Sequence, residues 1–117
     1  MAITWVLEAQ APASNQTALR RLMVEMTEET LMREPGCLVY DWYLGPDGET
    51  CHIIESYEDE AALLTHVEGF NRRFAKRFFS LVKPRGLTVY GALSEAGQEA
   101  LAPLNPVFFQ PLKGPKA

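Results

Sequence analysis

The sequence predicts an α+β fold: a ferredoxin-like split βαβ sandwich of order β-α-β-β-α-β, with an antiparallel sheet and an extra C-terminal helix and strand. Three observations carry this expectation. Short runs rich in β-branched and aromatic residues alternate with longer segments whose apolar side chains recur every three or four positions. Proline and glycine punctuate most of the joints between them. The length, 117 residues, suits one domain that buries roughly two thirds of its unfolded surface without disulfide or metal staples.

The run 3–10 (ITWVLEAQ) reads as the first strand, stopped at Ala11-Pro12. Ser14 or Asn15 can cap the first helix, with Leu19, Leu22, Met23, Met26 and Thr30 inward, and Glu34-Pro35-Gly36 ends it. Runs 37–44 (CLVYDWYL) and 49–57 (ETCHIIESY) form a hairpin around Gly45-Pro46-Asp47-Gly48. Asp59 caps a second helix with Leu63, Val67, Phe70, Phe74 and Phe78 as its stripe, and Gly69 is where a kink is expected. Lys83-Pro84-Arg85-Gly86 reads as a turn, 87–93 (LTVYGAL) as the fourth strand, Ser94 to about Leu104 as a short helix, and Val107-Phe108-Phe109 as a last strand before a Lys/Gly/Pro tail. Residues 1–93 thus make the ferredoxin-like domain, and 94–117 a helix–strand extension of it. Both long helices cover one face of the sheet; the other stays apolar at several positions, so a second copy of the chain is expected over it.

Composition narrows the function classes. The net charge of -4 gives no general attraction to phosphate backbones, and the run Arg72, Arg73, Lys76, Arg77 reads as the solvated side of the second helix, so no nucleic-acid partner is expected. No apolar run approaches the roughly 20 residues of a membrane span, and the N-terminus does not read as a signal peptide. No membrane partner and a cytoplasmic location are expected. Metal-ligand spacings, Walker loops and Gly-x-Gly-x-x-Gly are absent from the sequence.

The hairpin register sorts the candidate side chains. With a three-residue turn, opposed residues sum to 94: Cys51 faces Tyr43, Cys37 faces Tyr57, and the two sulfurs lie roughly 20 Å apart, unable to bond. They read as buried thiols; a reactive nucleophile lacks a basic neighbour in either strand. In this register Glu55 shares its face with Tyr57, Asp41, Tyr43 and Ile53, whereas His52 shares the other with Tyr40, Trp42 and Ile54. A four-residue loop instead moves Tyr40 and Trp42 beside Glu55.

Glu55 is a carboxylate within an apolar strand, either a base or orienting group in a pocket or a paired edge residue. His66 borders the apolar stripe of the second helix, where an imidazole can take a phenolic proton at neutral pH or be a bland, half-buried histidine. His52 reads as a strand residue at a subunit contact. The aromatic set Tyr40, Trp42, Tyr43, Tyr57, Phe70, Phe74, Phe78 and Phe79 can furnish walls for a flat ring.

The segment Glu34-Pro35-Gly36-Cys37-Leu38-x-Tyr40, followed by Glu55-x-Tyr57-x-Asp59-x-x-Ala62-x-x-x-His66 and the Phe70/Phe74 stripe, resembles the antibiotic biosynthesis monooxygenase family, including quinol monooxygenase-like members. The resemblance spans roughly residues 3–90. It implies a dimeric α+β barrel that oxygenates phenolic or quinol rings without metal, flavin or haem, so no cofactor is expected. Glu55, Tyr57 and His66 fall on the family's recurring Glu, aromatic and His positions, with Tyr57 standing where tryptophan is usual; the later helical histidine of haem-degrading members is replaced by 72–77 (RRFAKR). The expected function is a cofactor-independent monooxygenase that oxidises a small phenolic or quinol-type substrate with O2, with His66 as base and Glu55 as orienting carboxylate. Tyr57, Phe70, Trp42, Phe74 and Asn71 are expected to contact substrate. The alternatives are a non-catalytic dimeric module that binds a small hydrophobic ligand, and a pairing domain with no ligand.

Overall fold

At the centre of the sheet lies β1 (Ile3–Gln10), whose alternation puts Ile3, Trp5, Leu7 and Ala9 into the core. The computed structural model describes residues 1–112, so the last five residues of the expected tail lie outside the described residues. Around β1 the order is β2 (Cys37–Leu44), β3 (Thr50–Tyr57), β1, β4 (Lys83–Tyr90) and β5 (Val107–Phe109). All pairs are antiparallel except the last, β4 with β5. Helices α1 (Gln16–Arg33), α2 (Glu60–Arg73) and α3 (Ala75–Leu81) bury Leu22, Met26, Leu63 and Phe78 in the core shared with the inner face. This is the expected ferredoxin-like α+β fold, and no helix is long and apolar enough to cross a membrane among the described residues.

The hairpin takes the four-residue loop. Pairs from Val39↔Ser56 to Leu44↔Cys51 sum to 95, so Tyr40 and Trp42 join Glu55 on the inner face and Cys51 faces Leu44, not Tyr43. The cause is Asp47, whose carboxylate accepts from the Glu49 N–H (2.9 Å), the Thr50 N–H (2.8 Å) and the Thr50 hydroxyl, drawing one more residue into the loop. These donors favour the carboxylate and hold the Asp47 pKa down at about 2. Gly45 N–H then closes on Thr50 O at 2.7 Å, and Gly48 adopts φ 74°. Cys37 still pairs with Tyr57 because a bulge at Leu38 absorbs the difference.

Other boundaries also move. Asn15 occupies the N-cap position of α1 without a side-chain cap; its amide donates instead to Leu81 O (3.0 Å), tying the start of α1 to the end of α3. The second helix breaks at Phe74 (φ -126°, ψ -23°), not at Gly69; Gly69 leaves room for the Arg73 guanidinium, which a Cβ would meet at 2.6 Å. The expected turn at 83–86 is the first half of β4. Pro84 is tolerated because β5 pairs only with Thr88–Tyr90, leaving this stretch an edge, and because the β1–β4 register shifts between Glu8 and Ala9. Beyond Gly91 (φ 132°) come α4 (Glu95–Leu101) and a 3-10 turn over Ala102–Leu104.

Candidate functional site

Register alone places Glu55 between two aromatic residues, Trp5 on β1 and Tyr40 on β2, each directly opposite it. The period of two puts Tyr57 on the same face. Glu55 is 5% exposed, and both of its oxygens accept hydrogen bonds: the Trp5 indole donates to Oε2 at 2.8 Å and the Tyr57 hydroxyl to Oε1 at 2.6 Å. A carboxylate this deep needs such donors, because burying an unpaired charge is prohibitive.

α2, started by Asp59, whose carboxylate accepts from the Ala62 N–H, lowers His66 onto this group. Nε2 of His66 lies 3.1 Å from Glu55 Oε1, and Nδ1 lies 2.8 Å from Oε1 of Glu34, the residue that ends α1. The imidazole, 6% exposed, therefore bridges two carboxylates. Burial pulls its pKa down, but the hydrogen bonds to Glu34 and Glu55 and their charges outweigh this and raise it to about 9. At neutral pH His66 is an imidazolium with both nitrogens engaged. Burial, then the Glu55 charge, raise the Tyr40 and Tyr57 hydroxyls well above the usual phenol range, so both stay protonated.

This group closes one end of a cavity of about 110 Å³. Trp5, Tyr40 and Ile53 line the sheet side; His66, Phe70 and Asn71 come from α2; Phe78 and Phe79 from α3; Leu101, Pro103 and Leu104 from the C-terminal segment. Of the expected site residues, Glu55, His66, Phe70 and Asn71 meet here. Tyr57 does not line the cavity but anchors the Glu55 carboxylate from the side. Trp42 lies over Phe78 (5.9 Å between ring centroids) and lines a separate hollow beside Gln16, Leu19 and Met23, with its Nε1 buried and without a partner. Phe74 packs at the helix break beneath the Arg77 guanidinium and does not reach the cavity.

Trp5 and Glu34 are site residues that the sequence did not point to, whereas Tyr40, one of the candidate wall residues, takes the place beside Glu55 that the four-residue loop gives it. Trp5 and Tyr40 follow from Glu55 once the register is known; Glu34 meets His66 only through packing of the end of α1 against α2. His52 sits on the outer face 3.1 Å from Glu8. Cys37 and Cys51 are free thiols, and the nucleophile reading gains nothing: burial, then the Glu55 and Glu34 charges, push Cys37 up to about 11, and burial raises Cys51. The arginines of the basic run pair with helix carboxylates, Arg77 with Glu25 at 2.9 Å, Arg73 with Glu29 at 3.6 Å and Arg72 with Glu68 at 3.6 Å. Among the described residues no group of three or more His, Cys, Asp or Glu side chains is arranged to hold a metal ion.

A family model of antibiotic biosynthesis monooxygenases matches residues 2–83, well over half of the chain and all of the Glu34–Glu55–His66 group. The chain belongs to the antibiotic biosynthesis monooxygenase family. Membership gives it a general monooxygenase-like role. Among solved structures, MupZ from Pseudomonas fluorescens is similar at 24% identity over 99% of this chain and 97% of its own, with a TM-score of 0.81, a likeness of fold. Rv0793 from Mycobacterium tuberculosis is 26% identical over 82% of this chain and 99% of its own (TM-score 0.68). A candidate antibiotic biosynthesis monooxygenase from Deinococcus radiodurans is 26% identical over 80% and 94% (TM-score 0.64). No curated protein matches significantly. The family match ends at residue 83, so the cavity wall formed by Leu101, Pro103 and Leu104 lies beyond it.

Proposed function

We propose that the protein oxidises a small phenolic or quinol-type ring with O2, without a cofactor. The observation that carries this reading is a buried ion pair, Glu55 with His66, at the inner end of a largely apolar cavity. A phenol that enters hydroxyl first reaches the two groups deprotonation requires. This reading exchanges the two roles expected from sequence: Glu55 accepts the phenolic proton and the His66 imidazolium, favoured by its two carboxylate partners, stabilises the phenolate. The electron-rich anion gives one electron to O2; the resulting superoxide and phenoxyl radical combine at a ring carbon that carries hydrogen, and its C–H bond and the O–O bond then break together, the ring proton and the proton held by Glu55 both passing to the departing oxygen. One oxygen stays on the ring as a quinone carbonyl and the other leaves as water, so phenol plus O2 balances quinone plus water. The protein contributes orientation by Tyr40 and Phe70 and exclusion of solvent.

Oxygen uptake by metal-free protein supplied with hydroquinones and phenols tests this. The expected result is one O2 consumed per ring oxidised to the quinone level, with one 18O atom from 18O2 retained when a phenol is the substrate. Substrate conversion at an equal rate under nitrogen overturns it, and would assign the ion pair to proton transfer alone. No conversion and no uptake with any ring, while the rings still bind, leaves the ligand-binding module.

We also propose a homodimer. The outer sheet face exposes Tyr43 (54%), Tyr90 (45%), Val107 (58%) and Phe109 (53%) around half-buried Val6 and Ile54, an apolar surface of a kind that monomers rarely leave in water. Sedimentation equilibrium is expected to return the mass of two chains at micromolar concentration, and Tyr90→Asp to shift it toward one. A single-chain mass throughout excludes the dimer.

A further inference from the structure

We infer that the C-terminal segment, α4 and the 3-10 turn after it, is a rigid size filter that restricts the site to a neutral guest with a single aromatic ring. The inference rests on the phenol-oxidation reading only for the guest's orientation, hydroxyl inward.

Exposure along the cavity shows its direction. Trp5, Glu55 and His66 at the inner end are at most 6% exposed, whereas Asn71, Phe79 and Pro103 are exposed and mark the mouth. A guest thus passes between α2–α3 on one side and residues 101–104 on the other. That second wall is held at both ends. Ser94 donates to the Glu60 carboxylate through its N–H (2.6 Å) and its hydroxyl, and Gly97 sits so close that a Cβ would meet the Glu60 carboxyl carbon at 2.9 Å. Gln98 Nε2 donates to Leu93 O at 3.1 Å. At the other end the backbone reverses at Asn105, in the left-handed region (φ 51°), and is fixed by pairing of β5 with Thr88–Tyr90. Leu101, 3% exposed, and Leu104 pack on the core between these ties. A wall tied in this way holds its position instead of opening for a larger guest.

Size and charge then define the guest. The cavity of about 110 Å³ is smaller than the roughly 150 Å³ apolar cavity that takes a benzene ring in another protein, so a single ring already uses all of its enclosed volume, with its substituent at the mouth, and none is left for a fused ring between Phe79 and Leu104. None of the described residues lining the cavity is Lys or Arg. Among the described residues, the ionic groups at its floor are two carboxylates sharing one imidazolium, an excess of negative charge that opposes a carboxylate on the guest. The expected class is a neutral monocyclic hydroxyarene, not a hydroxybenzoate or a fused polycyclic phenol.

Isothermal titration of the full chain under nitrogen, with 4-methylphenol, 9-phenanthrol and 4-hydroxybenzoate, tests this without turnover. Wild type is expected to bind 4-methylphenol at least about tenfold more tightly than either of the others. Leu104→Ala is expected to erase most of the preference against 9-phenanthrol, and Leu104→Trp to weaken 4-methylphenol about tenfold while thermal melting stays cooperative. Equal binding of 4-methylphenol and 9-phenanthrol by wild type, an unchanged ratio in Leu104→Ala, or no binding of any probe overturns the filter. Because O2 is absent, failed oxygen uptake elsewhere leaves a confirmed ranking standing, and a failed ranking leaves the oxidation reading to its own assay.

Discussion

Replacing Glu55 by glutamine is expected to lower kcat/KM for oxidation of a hydroquinone by about 10²- to 10⁴-fold, the usual contribution of a positioned proton acceptor. Three donors converge on this carboxylate: the Trp5 indole, the Tyr57 hydroxyl and His66. An amide keeps the shape but offers one oxygen, so at least one donor faces an NH2 group and the base is lost. The same change removes one of the two carboxylates that hold the His66 proton. Oxygen-electrode rates, with the His66 ring protons followed by NMR across pH, check both effects. The expected result is a collapse in rate together with a lower His66 pKa. A variant that keeps more than about a tenth of the wild-type rate shows that Glu55 is not the proton acceptor.

Stability is expected to fall by on the order of 3 kcal/mol between pH 6 and pH 9, from His66 alone. The folded-state pKa, about 9, lies above the ordinary 6.5, so the native protein binds this proton more tightly than the unfolded chain does. The stabilisation is fully present below pH 6.5, where both states are protonated. It is lost as pH rises toward 9, because the unfolded chain releases its proton first and the free-energy difference shrinks. Urea unfolding at pH 6, 7.5 and 9 measures the slope. In His66→Gln the slope over this window is expected to flatten; an equally steep fall in that variant assigns the loss to another group. Cys37 and Cys51, both raised by burial, add a further loss only above about pH 9, outside the window.

The local elements were legible because their causes are local. Apolar periodicity in residues 16–33 and 60–73, the Asp59 cap and the stop at Glu34-Pro35-Gly36 depend on neighbours within a turn or two, and the structure keeps them. Departures occur where a distant contact overrides a local preference. Pro84 and Gly86 look like a turn but lie in β4 because β1 is there to pair with them. Asn15 looks like a cap but reaches across to Leu81.

The candidate site divides in the same way. Glu55 and His66 stand out in the sequence because a charge within an apolar strand and an imidazole beside a helical stripe require partners. Trp5, Glu34 and the segment 101–104 could not be named from the sequence, since they come from distant places in the chain, and Tyr40 could be placed beside Glu55 only for the longer of two hairpin loops. A single extra residue in the 45–50 loop decided whether Tyr40 and Trp42 faced the carboxylate or the outer surface, because a one-residue slip turns every side chain of a strand over. Helix packing decided the protonation of His66. The choice of residue types and their order along the chain settled the fold and the two ionisable groups, while the tertiary structure alone decided which partners each of them meets and which side chains enclose the cavity beside them, because burial and hydrogen-bond partners are properties of where chains meet.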